Sequence, residues 1–475
     1  MSHDLVVLGG GPGGYATAFR AAAHGLDVAM VERDEVGGTC LHRGCIPSKA
    51  LLHVAGVLEE VARADVLGLR LAFDGIDAEH LGAFRDGVVA KLHKGLAALV
   101  SARTTLHRGH GHVVADGPGL AVEVTDDAGD TQRVAGRHVV VATGSQPRFL
   151  PGIEVDGTRV QTSDEALFAP PPQRAVIVGA GAIGVEVASM WRPMGAEVTL
   201  VEALDRVVPL EDADVSRALA RALDRRGIEV LTGARLESAT PDGDEVDVQL
   251  SVGGEARRLV VDRLLVAVGR RPVTAELGLE DLDVLDDAGF VRTDAWGATH
   301  RDGLWAVGDV TAGPALAHAA FAEGFAVADR LAGRPWAQPV DHVTTPRVTY
   351  SHPEVASVGL TEAEAREQQG DNAIAVTTAS LQGNAKGIIA GSEGFVKVVH
   401  ALGAAPVGSP GDGGPVLGVH IVGPHATDII GEATLATSWE ALPSELAAIT
   451  HAHPTLYEAL GEAFQAAAGL PFHGT

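Results

Sequence analysis

The sequence predicts an α/β protein with two Rossmann-like domains, the second inserted into the first, and a C-terminal α+β domain. Three observations carry this reading. A unit of strand, G-x-G-x-x-G, helix, strand and acidic residue occurs twice, over residues 4–32 and 175–202. A second motif also recurs: residues 139–144 are echoed by 264–269, each an apolar run closing on glycine, as a buried parallel strand does at its C-terminal edge. Finally, Trp305-Ala306-Val307-Gly308-Asp309 supplies one more strand end after the second copy, so the first domain resumes once the second is complete.

Taken in order, Leu5-Val6-Val7-Leu8 is a short β-rich run that enters Gly9-Gly10-Gly11-Pro12-Gly13-Gly14. Gly9 permits a tight turn, Gly11 lets a pyrophosphate approach the backbone, and Gly14 lets helix and strand pack closely. The helix that follows offers unpaired N–H groups and partial positive charge to a phosphate. Glu32, at the end of the next strand, can accept hydrogen bonds from ribose hydroxyls. Gly179, Gly181, Gly184 and Glu202 repeat these roles for a second nucleotide. A carboxylate at position 202 repels a 2′-phosphate, and the nearest arginine, Arg206, comes four residues later, so NAD is favoured over NADP. Strand signals resume around residues 343–350, 394–399 and 416–422, with helical patterns over 428–440 and 456–468. Residues 403–415 are rich in Gly and Pro and read as a mobile hairpin loop. The resulting domains are 1–149, 150–274, 275–342 (completing the first) and 343–475.

Composition narrows the function. A chain of 475 residues suits roughly three domains. No apolar run is long enough to span a bilayer. Met1-Ser2-His3-Asp4 leads directly into a strand, without the basic and apolar regions of an export signal, so a cytoplasmic location is expected. The net charge of −26 argues against nucleic acid as a partner. It favours solubility, or the docking of an acidic face onto a basic segment of a larger complex.

The chain has only two cysteines, Cys40 and Cys45. A disulfide scaffold uses more, and a structural zinc site wants four ligands, so redox chemistry is the sharper reading and a buried apolar pair the bland one. In a regular helix, residues five apart rise ~7.5 Å, whereas disulfide Cα atoms lie within about 6.8 Å. A bridge therefore requires a distorted loop or helix start, which Gly44 and Pro47 suit. The helix N-terminus and Lys49 would hold Cys45 as a thiolate.

The run Gly37-Gly38-Thr39-Cys40, then Gly44-Cys45-Ile46-Pro47-Ser48-Lys49, resembles the redox segment of the pyridine-nucleotide:disulfide oxidoreductases. Ala142-Thr143-Gly144-Ser145, Gly269-Arg270-Arg271-Pro272 and Gly308-Asp309 match further motifs of that family. His451-Ala452-His453-Pro454-Thr455-Leu456-Tyr457-Glu458 is most similar to its dihydrolipoamide dehydrogenase branch. The resemblance implies FAD in the first domain, beside Gly9, Gly11, Gly14, Glu32, Thr39, Lys49, Gly111, Thr143, Gly144, Asp309 and Ala317. It implies NAD in the second, beside Gly179, Gly181, Gly184, Glu186, Glu202 and Gly269, with Glu186 paired to Lys49. It further implies that Cys40 meets the substrate, that Cys45 is the thiolate nearer the flavin, that His453 is the acid/base and that Glu458 orients it. A homodimer follows, with His453 reaching the partner's cysteines, and so does a lipoyl-bearing partner from a 2-oxo acid dehydrogenase complex or the glycine cleavage system. The implied reaction oxidises dihydrolipoamide and reduces NAD⁺.

Three positions depart from the family pattern. His42 and Arg43 would add cationic neighbours to the thiols, and Tyr457 replaces a small polar residue at the substrate mouth. The rival functions are a reductase of a low-molecular-weight disulfide such as mycothione or glutathione, and a non-catalytic FAD/NAD redox sensor.

Overall fold

The computed structural model describes residues 2–117, 119–391, 393–403 and 413–473. Its first strand, His3–Leu8, is buried from Leu5 to Leu8. It pairs in parallel with Val28–Glu32 on one side and with the C-terminal half of the long strand Thr131–Val141 on the other. The chain therefore leaves the end of His3–Leu8 at a switch point between neighbouring strands, where open parallel sheets leave a crevice for a ligand. Thr105–Arg108 extends one edge, and Leu304–Ala306 pairs in parallel with Thr131–Val141.

The second sheet has five parallel strands in the order Ile228–Leu231, Glu197–Val201, Arg174–Val178, Arg263–Val266, Val160–Gln161. All of them fall in sequence between Thr131–Val141 and Leu304–Ala306, so this unit is inserted into the first. The two chain crossings between the sheets run side by side as an antiparallel ribbon, Ser145–Pro147 against Arg270–Pro272. The meander Ala234–Asp242, Glu245–Val252, Glu255–Val261 buries Val246, Val248 and Leu250 in one cluster with Val176, Val178 and Leu264 of the second sheet.

The C-terminal sheet is antiparallel, in the order Arg347–Thr349, Glu354–Gly359, Gly413–Gly423, Phe395–Leu402, Ile374–Ser380. Helices Ala426–Ser438 and Tyr457–Ala467 bury Ile429, Ile430, Leu460 and Phe464 against it. The sequence patterns locate three of the five strands. Glu354–Gly359 escapes them because both of its faces are buried, which removes the alternation. Ile374–Ser380 is a half-exposed edge built of Ala, Thr and Ser around Ile374 and Val376. The expected strand at 343–350 is shorter, because Asp341 caps a 3₁₀ turn, His342–Thr344, before Arg347. Helix Ala78–Arg103 buries only Arg85 and Val100, so it carries no apolar stripe to read. Within the predicted 403–415 loop, residues 404–412 lie outside the described residues, and 413–415 open a strand. No helix among the described residues is long and apolar enough to cross a membrane.

One ionic cluster fastens the helix that follows the first glycine-rich loop. Arg20, on helix Pro12–Ala23, donates to both oxygens of Asp329 at 2.7 and 2.8 Å. His24 Nε2 donates to the same carboxylate at 2.5 Å while its Nδ1 accepts from Arg334 Nε at 3.1 Å. Asp329 lies on helix Ala317–Leu331, so the cluster clamps two helices together. The Arg20 hydrogen bond first, and His24 after it, hold the Asp329 carboxyl down at about 2. Because this folded-state value lies below the ordinary one, the cluster contributes its full stability above about pH 4. That contribution is lost as pH falls through about 2. Asp329→Ala is expected to cost about 2 kcal/mol in urea unfolding at pH 7 and much less near pH 2.

Candidate active site

The two G-x-G-x-x-G loops are geometric copies. Gly9 has φ +105° and Gly179 φ +103°, conformations that a side chain rarely adopts. A Cβ on Gly9 would sit 2.4 Å from the Ala142 carbonyl oxygen, and one on Gly179 would sit 2.3 Å from that of Ala267. This explains the echoed segments at 139–144 and 264–269: each delivers a carbonyl against the first glycine of its loop. A Cβ on Gly14 or Gly184 would meet the carbonyl oxygen of Gly9 or Gly179 at 1.8 Å. Helices Pro12–Ala23 and Ala182–Trp191 begin at Gly11 and Gly181, both with φ −72° and ψ −174°, and neither N-terminus has a side-chain cap among the described residues. The acids also match. Glu32 accepts from the Gly10 N–H at 2.6 Å and Glu202 from the Ala180 N–H at 2.7 Å, so each carboxylate reaches back to its loop.

The cysteine segment folds over the first loop. The Gly37 N–H donates to the Gly10 carbonyl at 2.8 Å, and Gly38 lies against Gly11. A short helix, Gly38–Arg43, is interrupted at Gly44, and a second helix, Cys45–Ala62, begins at Cys45. This is the break that a five-residue cysteine spacing demanded, with Pro47 in the first turn of the second helix. Neither cysteine is in a disulfide, and the Cys40 thiol stands beside Cys45 as a donor. That donor, then the Lys49 ammonium, outweighs burial and lowers Cys45, while the same pairing pushes Cys40 up. Lys49 is the cation acting on both thiols. Arg43 is instead paired with Asp34, and His42 bonds the Val36 carbonyl at 3.0 Å. The cationic influence expected from His42 and Arg43 is thus directed away from the sulfurs.

Lys49 Nζ donates to Glu186 Oε2 at 2.7 Å, joining the cysteine helix to the second nucleotide helix. In the C-terminal segment, His453 Nδ1 lies 2.7 Å from Glu458 Oε1, and the Thr455 N–H donates to Glu458 Oε2 at 2.7 Å. These two hydrogen bonds, the Thr455 one first, depress the Glu458 carboxyl. The competing His451 is 10% exposed and paired with Glu432, whereas His453 is 77% exposed. Of the two, His453 is the one open to solvent.

The sequence matches the family described as pyridine nucleotide-disulphide oxidoreductase over residues 3–324. It matches that family's dimerisation domain over residues 345–464. The chain belongs to the pyridine nucleotide-disulphide oxidoreductase family. It is 39% identical to a dihydrolipoyl dehydrogenase of Bacillus subtilis, with 99% of each chain covered. It is also 39% identical to one of Thermus scotoductus, covering 98% of this chain and 97% of the relative. Among solved structures it resembles LpdA of Mycobacterium tuberculosis with a TM-score of 0.88 and 28% identity, covering 97% of this chain and 99% of that one.

As a member of this family the chain is a flavin-dependent, NAD-linked disulfide oxidoreductase using FAD and NAD. Its own residues fit both cofactors. The uncapped helix N-termini at Gly11 and Gly181 leave N–H groups for a pyrophosphate, and the space beside Gly181 is open. Asp309 accepts from Ser145 Oγ at 2.6 Å, and Arg270 Nε donates to that hydroxyl at 2.7 Å. Thr143 Oγ1 donates to the Val273 carbonyl at 2.7 Å. Gly144 and Gly269, each with positive φ, both have open space in front of them. Ala317 opens helix Ala317–Leu331, again without a side-chain cap. Gly111 lies in strand His110–Asp116, where a Cβ would meet Leu8, Val122 and Val31, so only its backbone could face a ligand. Thr39 precedes Cys40 in the short helix.

Sequence reasoning missed several members of the site. Ser145 and Arg270 were inside quoted motifs but had no role until folding joined them to Asp309. Tyr15 lies near the sulfurs, and its hydroxyl is raised to about 12, by burial first and then by Cys40 and Cys45. Tyr350, whose N–H donates to Glu186 Oε1 at 2.9 Å, carried no local signal.

Proposed function

We propose that the chain is a dihydrolipoyl dehydrogenase, oxidising protein-bound dihydrolipoyl groups and reducing NAD⁺. The observation that carries this is the presence, in one chain, of two cysteines flanking the helix break at Gly44, one turn from the Lys49–Glu186 pair, and an exposed His453–Glu458 dyad. His453, oriented through Nδ1 by Glu458, takes the proton of one substrate thiol at Nε2. The resulting thiolate attacks Cys40 of the oxidised Cys40–Cys45 pair, forming a mixed disulfide and releasing Cys45 as a thiolate beside Lys49. The second substrate thiol then attacks its own mixed-disulfide sulfur, so lipoyl leaves as a disulfide and Cys40 as a thiol. FAD, when bound, would carry the electron pair from this dithiol to NAD⁺.

Residues 1–149 and 275–342 would form the FAD-binding domain, 150–274 the NAD-binding domain and 343–475 the interface domain. FAD would be held by Gly9, Gly11, Gly14, Glu32, Thr39, Lys49, Gly111, Thr143, Gly144, Asp309 and Ala317. NAD would be held by Gly179, Gly181, Gly184, Glu186, Glu202 and Gly269. The exposure of His453, together with the dimerisation domain, supports a homodimer in which each dyad completes the partner's site. Lipoyl groups would come from a separate subunit of a 2-oxo acid dehydrogenase complex or glycine cleavage system, in the cytoplasm.

Steady-state turnover with dihydrolipoamide and NAD⁺ tests the reading, against NADP⁺ and against mycothione with NADPH. Faster turnover of mycothione would overturn it. Glu202 tests cofactor choice separately. Its Oε2 accepts from Ala180 and its Oε1 from Leu204, at 2.7 and 2.9 Å, which holds the carboxylate against the second glycine-rich loop and supports a role in binding ribose there. Glu202→Ala is expected to raise the KM for NAD⁺ about tenfold and to narrow the gap to NADP⁺. An unchanged KM ratio would remove Glu202 from ribose recognition.

A further inference from the structure

Lys49 follows Cys45 by one helical turn, so the two side chains share a face of helix Cys45–Ala62. Its ammonium has two neighbours besides the sulfur. One is Glu186 Oε2 at 2.7 Å, and the other is the ring of Tyr350, whose centroid lies 4.5 Å from Nζ. Tyr350 also touches Glu186, donating its backbone N–H to Oε1 at 2.9 Å. A single residue at the end of strand Arg347–Thr349 therefore grips both members of the ion pair, the carboxylate through the main chain and the ammonium through the ring face.

We propose that Tyr350 is a positioning residue that holds the Lys49 ammonium beside Cys45 through its aromatic face, and so sets how much Cys45 thiolate the reduced enzyme carries. The proposal rests on the reading of Cys45 as the working thiolate. The physical reason is that an ion pair alone lets the ammonium follow its carboxylate. A ring face attracts a cation without neutralising it and without taking a hydrogen from it. With Glu186 fixed by the Tyr350 N–H and the ammonium fixed by the ring, the positive charge stays where it acts on sulfur. The groups facing Cys45 are Cys40, Lys49 and Glu186, with Tyr15 near both thiols. Those facing Lys49 are Glu186, Cys45 and Tyr350. Those facing Tyr350 are Lys49, Glu354, Glu186 and Asp428. Burial raises the Tyr350 hydroxyl above its ordinary value, so the ring stays uncharged at working pH.

The test uses the reduced holoenzyme and three variants: Tyr350→Phe, Tyr350→Trp and Tyr350→Leu. All three keep the backbone N–H that holds Glu186. The readout is the pH dependence of iodoacetamide alkylation of Cys45, with bound flavin measured in parallel. Phe and Trp are expected to titrate as the wild type. Leu is expected to move the midpoint upward by roughly half a pH unit, which leaves about threefold less thiolate on the acid side. A Leu variant that titrates as the wild type overturns the proposal. So does a Phe variant that shifts as far as Leu, since the hydroxyl and not the ring would then be responsible. If Leu fails to fold, Phe and Trp still decide, because loss of either one's wild-type titration overturns the ring-face role. If the wild type itself titrates like an ordinary cysteine, the reading of Cys45 fails, a result distinct from any effect at Tyr350.

Discussion

Cys45→Ser is expected to abolish dihydrolipoamide turnover, by roughly 10⁴-fold or more, while the purified protein remains yellow with bound flavin. The reaction needs two sulfurs that can be joined and parted, and a serine oxygen cannot take part in thiol–disulfide exchange. The fold should tolerate the change, because Cys45 opens a helix and serine occupies that position without strain. Retained flavin with lost turnover distinguishes a catalytic pair from a sensor or scaffold, which has no turnover to lose. Residual activity within tenfold of the wild type would sink the assignment. The partner position has its own signature. Cys40, as a thiol donor beside Cys45, does more than Lys49 to lower it. Cys40→Ala removes that donor, so the remaining thiol should titrate at higher pH than Cys45 does in the reduced wild type. Alkylation rate against pH would show the shift, and an unmoved midpoint would assign the lowering to Lys49 alone.

The second large effect is expected at the dyad. His453→Gln should lower turnover with dihydrolipoamide by roughly 10²–10⁴-fold, the usual range for removing an acid/base group. Flavin binding and the reduction of the cysteine pair by NADH should be spared, because neither needs a proton taken from a lipoyl thiol. Glu458→Gln should cost less. The Thr455 N–H still holds one oxygen, but His453 loses the carboxylate that fixes its tautomer. If both variants turned over at wild-type rates, or if His451→Gln reproduced the loss, the dyad would be wrongly placed. The structure argues against His451 in that role, since it is already committed to Glu432 in a partly buried pair. Mixed dimers of Cys45→Ser and His453→Gln chains provide a further measurement. Sites completed across the interface would give partial activity, whereas sites built within one chain would give none.

Much of this site was legible because its chemistry is local in sequence. The two phosphate loops need glycine at fixed offsets for steric reasons that hold whatever the surroundings. A Cβ at Gly14 or Gly184 collides with the carbonyl of the loop glycine five residues earlier, and no repacking relieves a 1.8 Å contact. The cysteine spacing likewise dictated a helix interruption, and Gly44 is where it occurs. The spacing of His453 and Glu458 permitted a hydrogen-bonded dyad, although the presence of His451 two residues earlier left the choice to a family motif.

What escaped had no periodic signature. Helix Ala78–Arg103 is mostly solvent-facing, strand Glu354–Gly359 is buried on both faces, and strand Ile374–Ser380 is a polar edge. In each, the pattern of one buried and one exposed side is missing, and that pattern is all a local reading can use.

The sequence by itself determined the two nucleotide units and the insertion of one into the other, and pointed to Cys40 and Cys45 as a redox pair, because these depend on backbone sterics and on the reactivity of residues a few positions apart. Only the tertiary structure decided which cation acts on the thiols, which histidine is exposed, and that Tyr350 meets a lysine 301 positions earlier in the chain. Those outcomes depend on electrostatic and packing contacts between separate sheets. Such contacts fall off over a few ångströms of space and leave no trace in the order of the residues.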